Sequence, residues 1–154
     1  MARWLSVLLI PVMLGAGYLL GEHWLRPLLV PMDVEAVVIE APAGCELDAQ
    51  GCLMMVAGTQ VRVWGPDRIP PLAPFDLRLD GAAPMEALDV SYIMPGMEMG
   101  VHRFEFTTLA TGGWVAESVL PVCMSGRMDW VAKVRIRLQG QPYELRIPVL
   151  LRRG

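Results

Sequence analysis

The sequence predicts an all-β domain, a small antiparallel immunoglobulin-like sandwich, preceded by one N-terminal transmembrane helix. Three observations predict this fold class. The chain of 154 residues begins with a long uncharged apolar stretch, continues with short stretches in which apolar and polar residues alternate, and places turn-forming residues between those stretches. About eight short strands at this spacing are typical of a sandwich. No long stretch with helical periodicity follows the apolar segment.

The N-terminal segment has the length and the flanking residues of a membrane anchor. Residues 4–21 contain no charged side chain, and a helix of that length, at about 1.5 Å per residue, spans roughly the hydrocarbon core of a bilayer. Trp4 and Trp24 bracket the segment, where interfacial tryptophans belong. Because Arg3 precedes the segment, the positive-inside rule predicts a cytoplasmic N-terminus and an exported domain.

A cleaved signal peptide is the alternative to an anchor. The small residues at 15–17 form a weak cleavage site, but apolar residues continue beyond them. Under either interpretation the main domain is exported. We therefore predict an anchor or signal peptide over residues 1–24, a proline-containing linker over 25–33 and an extracytoplasmic β-domain over 34–154.

The strands of the domain are predicted from two-residue periodicity. The alternation is plainest at residues 134–138. The candidate strands, in order, are residues 34–40, 60–64, 75–80, 87–94, 101–107, 113–119, 130–138 and 143–150. The turn signals that separate strands are residues 65–67, 80–81, 95–96, 112–113 and 139–141.

Three cysteines occur, and an exported chain meets an oxidising environment in which disulfides form. Cys45 and Cys52 flank a turn-like stretch, so a bridge between them would staple a hairpin and contribute about 2–3 kcal/mol. Their spacing is not that of a thioredoxin-type redox pair, which indicates a structural disulfide. Cys123 is then left as a buried thiol, an intermolecular bridge or a metal ligand.

Soft donors concentrate in two methionine-rich segments, residues 92–102 and 120–130. Thioether and thiolate sulfur prefer Cu(I), and imidazole accepts either copper oxidation state. A bend at Pro95 and Gly96 would bring several sulfurs towards one point. The candidate copper ligands are Met94, Met97, Met99, His102, Cys123 and Met128. The alternative is that these methionines fill an irregular core.

Composition argues against two other classes of function. The chain has 13 Lys+Arg against 16 Asp+Glu, a net charge of −3 and no basic block, so it lacks the phosphate-neutralising surface of a nucleic-acid binder. Its two histidines and scattered serines form no nucleophile–base arrangement. We predict that the protein is not an enzyme.

The anchor, the predicted sandwich and the Met-Pro-Gly-Met-x-Met-Gly motif at residues 94–100 resemble the FixH/YtkA-like family of bacterial exported proteins. The closer likeness is to membrane-anchored members that carry a cysteine pair, a Met-x-Met-Gly strand and the motif Leu-Pro-Val-Cys-x-x-Gly-Arg-Met-x-Trp, here at residues 120–130. The resemblance covers roughly residues 45–138. It implies a bacterial inner-membrane location, a periplasmic domain and a role in copper handling for respiratory oxidase assembly.

The sequence thus supports two hypotheses. The first is a membrane-anchored periplasmic protein that binds or delivers copper and assists assembly of a respiratory oxidase. The alternative is a non-catalytic accessory subunit or interaction module of an inner-membrane complex, without metal, whose methionines form an adaptable docking surface.

Overall fold

The computed structural model describes residues 35–82, 84–97, 100, 102–121 and 126–151. Within this part of the chain the fold is all-β, with two sheets and no helix, as the sequence predicts. None of these residues therefore forms a helix long and apolar enough to cross a membrane. The predicted anchor (1–24) and linker (25–33) lie outside the described residues, as do Met99 and Cys123.

Ten strands occur in the described part. In chain order they are β1 (Val37–Glu40), β2 (Cys52–Val56), β3 (Thr59–Trp64), β4 (Pro74–Gly81), β5 (Met85–Ile93), β6 (Arg103–Glu105), β7 (Thr107–Thr108), β8 (Trp114–Val119), β9 (Asp129–Leu138) and β10 (Gln141–Leu150).

The strands form two five-stranded sheets that enclose one core. The first sheet has the order β1-β10-β9-β5-β6, and the second has the order β2-β3-β4-β8-β7. Only the β1–β10 pair is parallel among these pairs, and the others are antiparallel. Alternate residues of β2, β4 and β9 are buried, because alternate side chains of a strand point to opposite faces of its sheet. Trp130, Val134 and Ile136 on β9 and Leu77 and Leu79 on β4 lie in this core.

The alternating stretches of the sequence correspond to strands, with two differences. The hairpin expected at the cysteine pair implied a strand that begins at Cys52, but periodicity did not give the extent of β2, because Cys-Leu-Met-Met-Val contains no polar residue to reveal the alternation. The candidate strand at 101–107 is two short strands in different sheets. At the step between them Phe106 donates its backbone N–H to Leu88 O at 3.1 Å. Leu88 is itself the extra residue of a β-bulge between Ala87 and Asp89.

The two ends of the sandwich differ in their connections. At one end, which we call the hairpin end, β2–β3 and β9–β10 are joined by two-residue turns, Ala57-Gly58 and Gln139-Gly140. All four turn residues have positive φ, which is the geometry of type I′ hairpins. At the other end, the loop end, lie residues 41–51, 65–73, 94–97, 100, 102, 120–121 and 126–128.

The loop end belongs to both sheets. Phe75, near the start of β4, lies 6.1 Å from Tyr92, near the end of β5, between ring centroids. Tyr92 also neighbours Ser118, near the end of β8. The segments that precede β4 and follow β5 and β8 are therefore together at this end.

Candidate functional site

The register of the first sheet brings the described parts of the two methionine-rich segments together at the loop end. Ile93, the last residue of β5, lies opposite Val131 of β9. Residues just after Ile93 are therefore beside residues just before Val131. Arg127 confirms the contact, because its guanidinium donates a hydrogen bond to Pro95 O at 3.0 Å.

The first segment makes a tight turn as it leaves β5. Met97 donates its backbone N–H to Met94 O at 3.0 Å, and Pro95 and Gly96 occupy the two central positions. Gly96 has φ +77°, so the turn has the pattern of type II, which favours proline first and glycine second. The bend expected at these two residues is present.

The candidate ligands within this end differ in their accessibility. Met94 is 2% exposed and belongs to the core between the sheets. Met97 is half-buried and packs against the core, Met128 is also half-buried, and His102 is exposed immediately before β6. A ligand role for Met94 would require its sulfur to leave the core. Met97, Met128 and His102 can meet a ligand from solvent without such a change.

Oxygen and nitrogen donors do not assemble a metal site by themselves in the described residues. No group of three or more His, Cys, Asp or Glu side chains lies close enough there to hold a metal ion. The accessible candidate donors in the described part of the loop end are the two thioethers of Met97 and Met128 and the imidazole of His102. Thioether sulfur and imidazole are, as residue types, softer donors than carboxylate and carbonyl oxygen.

Arg127 also organises the second segment through Asp129. Its Nε donates to Asp129 Oδ1 at 2.9 Å, and its Nη2 contacts Oδ2 of the same carboxylate. The hydrogen bond from Arg127 holds the pKa of the Asp129 carboxyl below its usual value. One arginine therefore connects the start of β9 with the turn after β5.

Two buried polar groups lie beneath this end. The Tyr92 hydroxyl and Trp130 Nε1 are both buried, and neither has a hydrogen-bond partner of normal geometry among the described residues. Burial raises the pKa of the Tyr92 phenol far above its usual value, and the neighbouring Ser118 hydroxyl offsets part of this rise. Each buried polar group without a good partner destabilises the folded state by roughly 1–3 kcal/mol. Hydrogen bonding of buried side chains is therefore less complete at this end than elsewhere in the described core.

The structure places Cys45 and Cys52 at disulfide distance, with Cα atoms 5.3 Å apart, as the sequence predicts. The expected hairpin between them is wrong, because Cys45 lies on no strand and Cys52 begins β2. The bridge instead ties the loop after β1 to an edge strand. Asp48 shapes that loop by accepting the backbone N–H groups of Gln50 and Gly51, each at 2.9 Å.

Sequence analysis did not predict the groove of about 600 Å³ beside the end of β3. Trp64 and three prolines line it, together with Arg68 and Arg78. The Arg62 guanidinium lies 5.3 Å from the centroid of the Trp64 ring, a cation–π contact. The sequence feature that could have indicated this groove is the high content of arginine and proline between residues 62 and 78.

Comparison of the chain with protein-family models, with curated proteins and with solved structures finds no match. The functional argument therefore depends on the position and chemistry of the side chains at the loop end.

Proposed function

We propose that the protein is a non-catalytic, membrane-anchored periplasmic domain that binds Cu(I) at its loop end and delivers it during respiratory oxidase assembly. One observation carries the proposal. The described parts of the two methionine-rich segments are in contact through Arg127 and Pro95, so soft donors from distant parts of the sequence share one end of the fold.

The proposed ligands are the donors that can reach a metal from solvent. Met97, Met128 and His102 are at least partly accessible at the loop end. Met99 lies two residues beyond Met97 in the sequence, and Cys123 lies five residues before Met128. Two or three thioethers, a thiol and one imidazole form a soft donor set, which selects Cu(I) over harder cations. Met94 belongs to the same methionine-rich segment as Met97, but its side chain is buried in the core.

The location and the finer fold class are parts of the same proposal. The uncharged segment at 4–21, preceded by Arg3, supports a single-pass anchor with the domain in the periplasm. The disulfide-distance pair Cys45 and Cys52 supports an oxidising compartment. A tryptophan buried between two packed sheets, Trp130, supports an immunoglobulin-like sandwich.

Competition for Cu(I) tests the proposal. The full chain in mild detergent is titrated with Cu(I) in ascorbate, which maintains Cu(I) without strong reduction of the disulfide, against a chromophoric Cu(I) chelator. A variant carrying Met97→Leu, Met99→Leu and Met128→Leu should lose affinity by about tenfold or more. Met55→Leu is the matched control, because Met55 is exposed on β2, outside the loop end. Equal affinity of the triple variant and the parent would end the proposal.

The groove beside Trp64 favours a second candidate, an interaction module without metal. Arg68 lines the groove and has no ion-pair partner among the described residues, so it is available to an acidic partner. A larger membrane complex should then co-purify with the tagged chain in detergent, independently of copper depletion. Arg68→Glu should abolish this association, whereas Arg103→Glu on β6 should preserve it. A chain that purifies alone would contradict this candidate.

A further inference from the structure

The exposed apolar residues of the domain are concentrated on two edge strands. Five large hydrophobic side chains are markedly exposed in the described part, and four of them are on β1 and β2. These four are Val37 and Val38 on β1 and Leu53 and Met55 on β2, between 45% and 62% exposed. Scattered exposed apolar residues need no explanation, but a group on neighbouring edges indicates an interaction surface.

The sheet orders place β1 and β2 on the same side of the sandwich. Each is the outermost strand at one edge of its sheet. At the opposite edges, β6 and β5 of the first sheet contact β8 of the second sheet. The edges formed by β1 and β2 therefore lie at the other side of the sandwich. The loop between them is also fixed to the first sheet, because Leu47 donates its N–H to Pro148 O at 3.0 Å.

β2 lacks the features that usually protect an edge strand from pairing. Such strands commonly carry charged residues, proline or a bulge. β2 has none of these, and its register with β3 is regular from Cys52 opposite Val63 to Val56 opposite Thr59. In the described part of the chain no strand pairs with its other edge. That edge therefore presents backbone N–H and C=O groups flanked by the exposed Leu53 and Met55.

We propose that β2 pairs antiparallel with β2 of a second copy of this chain, about a twofold axis at Met54. In that register both outward-facing side chains of β2 meet apolar partners. Leu53 of each copy stands opposite Met55 of the other on the outer face, so four apolar side chains form one cluster. The inward-facing side chains at 52, 54 and 56 stay in the two cores. The sheet that contains β2 in one copy and the same sheet in the second copy then form one continuous ten-stranded sheet.

A second copy fits this edge better than a charged partner or a lipid headgroup. β2 offers no charged side chain that would select either of them. Its two outward-facing side chains, Leu53 and Met55, are both apolar, so the same strand of a second copy presents a matching apolar face across a twofold axis. The disulfide at Cys52 also holds the start of the strand in place, so the pairing strand is already ordered before association.

Register-specific cross-linking tests the proposal. Full chains carrying Cys123→Ser are co-expressed in differently tagged pairs, one with Leu53→Cys and the other with Met55→Cys, and are oxidised with diamide. In the proposed register these two positions have Cβ atoms about 5 Å apart, whereas identical positions are about 7–8 Å apart across the diagonal. A disulfide dimer should form in the mixed pair in at least about fivefold excess over either variant alone. No dimer, or equal dimer in all samples, would overturn the proposal.

A charge placed on the edge supplies an independent test. Met55→Lys places two like-charged side chains in one apolar cluster, so the dissociation constant of the dimer, measured by analytical ultracentrifugation in detergent, should rise by at least about tenfold. Thr108→Lys on β7, the opposite edge strand of the same sheet, is the matched control and should leave association unchanged. Circular dichroism verifies that both variants fold. A parent chain that is monomeric at all concentrations, or two variants that behave alike, would refute the dimer.

Discussion

The hairpin end and the loop end of the same sandwich are built on different principles. At the hairpin end, two-residue turns with positive φ at Ala57, Gly58, Gln139 and Gly140 join strands whose register they fix. At the loop end, a proline–glycine turn, a disulfide and the Arg127 contacts hold longer segments in place. The buried side-chain polar atoms that lack a hydrogen-bond partner of normal geometry among the described residues, those of Tyr92 and Trp130, lie beneath the loop end. The longer segments and incompletely hydrogen-bonded groups of the loop end make it the better candidate for a binding site than the hairpin end.

The largest effect should separate the core methionine from the accessible one. Met94→Ala should lower the free energy of unfolding by about 2–5 kcal/mol, because it removes a fully buried side chain. Met97→Ala should cost less than about 1 kcal/mol, because Met97 is half-buried. Urea unfolding of the full chain in detergent measures both. If Met94→Ala and Met97→Ala lowered the free energy of unfolding equally, the assignment of Met94 to the core and of Met97 to the candidate site would be contradicted.

The disulfide should have the next largest effect. The double variant Cys45→Ala and Cys52→Ala should lose about 2–3 kcal/mol of stability, since the bridge closes a short loop. The hairpin end should be unaffected, so hydrogen exchange of the Gln139-Gly140 turn should match that of the parent, while exchange in residues 41–51 accelerates. If amide hydrogen exchange accelerated equally throughout the domain, the loop end would not unfold independently of the hairpin end.

A conservative substitution tests the unsatisfied group beneath the loop end. Tyr92→Phe removes a buried hydroxyl that has no partner of normal geometry, so stability should stay equal or rise by about 1 kcal/mol. Thermal unfolding of the full chain in detergent measures the change. A loss above about 1 kcal/mol would show that the hydroxyl has a partner in solution.

The smallest effect concerns the outer face of the first sheet, away from the site. Burial tends to raise the pKa of the Glu144 carboxyl, but hydrogen bonds from Arg146 and Lys133 outweigh it and leave the pKa below the ordinary 4.5. Because the folded-state pKa is depressed, this stabilisation is present above pH 4.5 and is lost as the pH falls through the folded-state pKa. Glu144→Gln should cost less than about 1 kcal/mol at pH 7.

A pH series on parent and variant measures the Glu144 contribution. The stability difference between them should narrow as the pH falls below 4.5. A difference that stays constant down to pH 2.5 would show that Glu144 does not contribute through its charge.

The fold class and the hairpin end could be predicted from the sequence because each depends on local signals. Alternation at residues 134–138 gives the buried face of β9, and Gln139-Gly140 gives its turn. The extent of β2 beyond Cys52 could not be predicted, because an edge strand with apolar residues on both faces shows no alternation. Such a strand becomes evident only when its pairing with β3 is known.

The site could be predicted only as a set of residue types. The sequence places Met94 and Met97 on either side of a bend, but does not show which of them faces the core. That assignment follows from the register of β5 with β9, which turns Tyr92 and Met94 inward. The contact of Arg127 with Pro95, across 32 positions of the sequence, is equally non-local.

The central claim is that accessible methionines of the loop end bind a soft metal together. The most direct test is NMR of the full chain labelled with ¹³C at the methionine methyl groups, titrated with Ag(I), a diamagnetic substitute for Cu(I). The account predicts that the Met97 and Met128 methyl resonances shift together and saturate, while those of Met54, Met55 and Met85 stay in place. Unshifted Met97 and Met128 signals at saturating Ag(I), or shifts of Met55 alone, would contradict it.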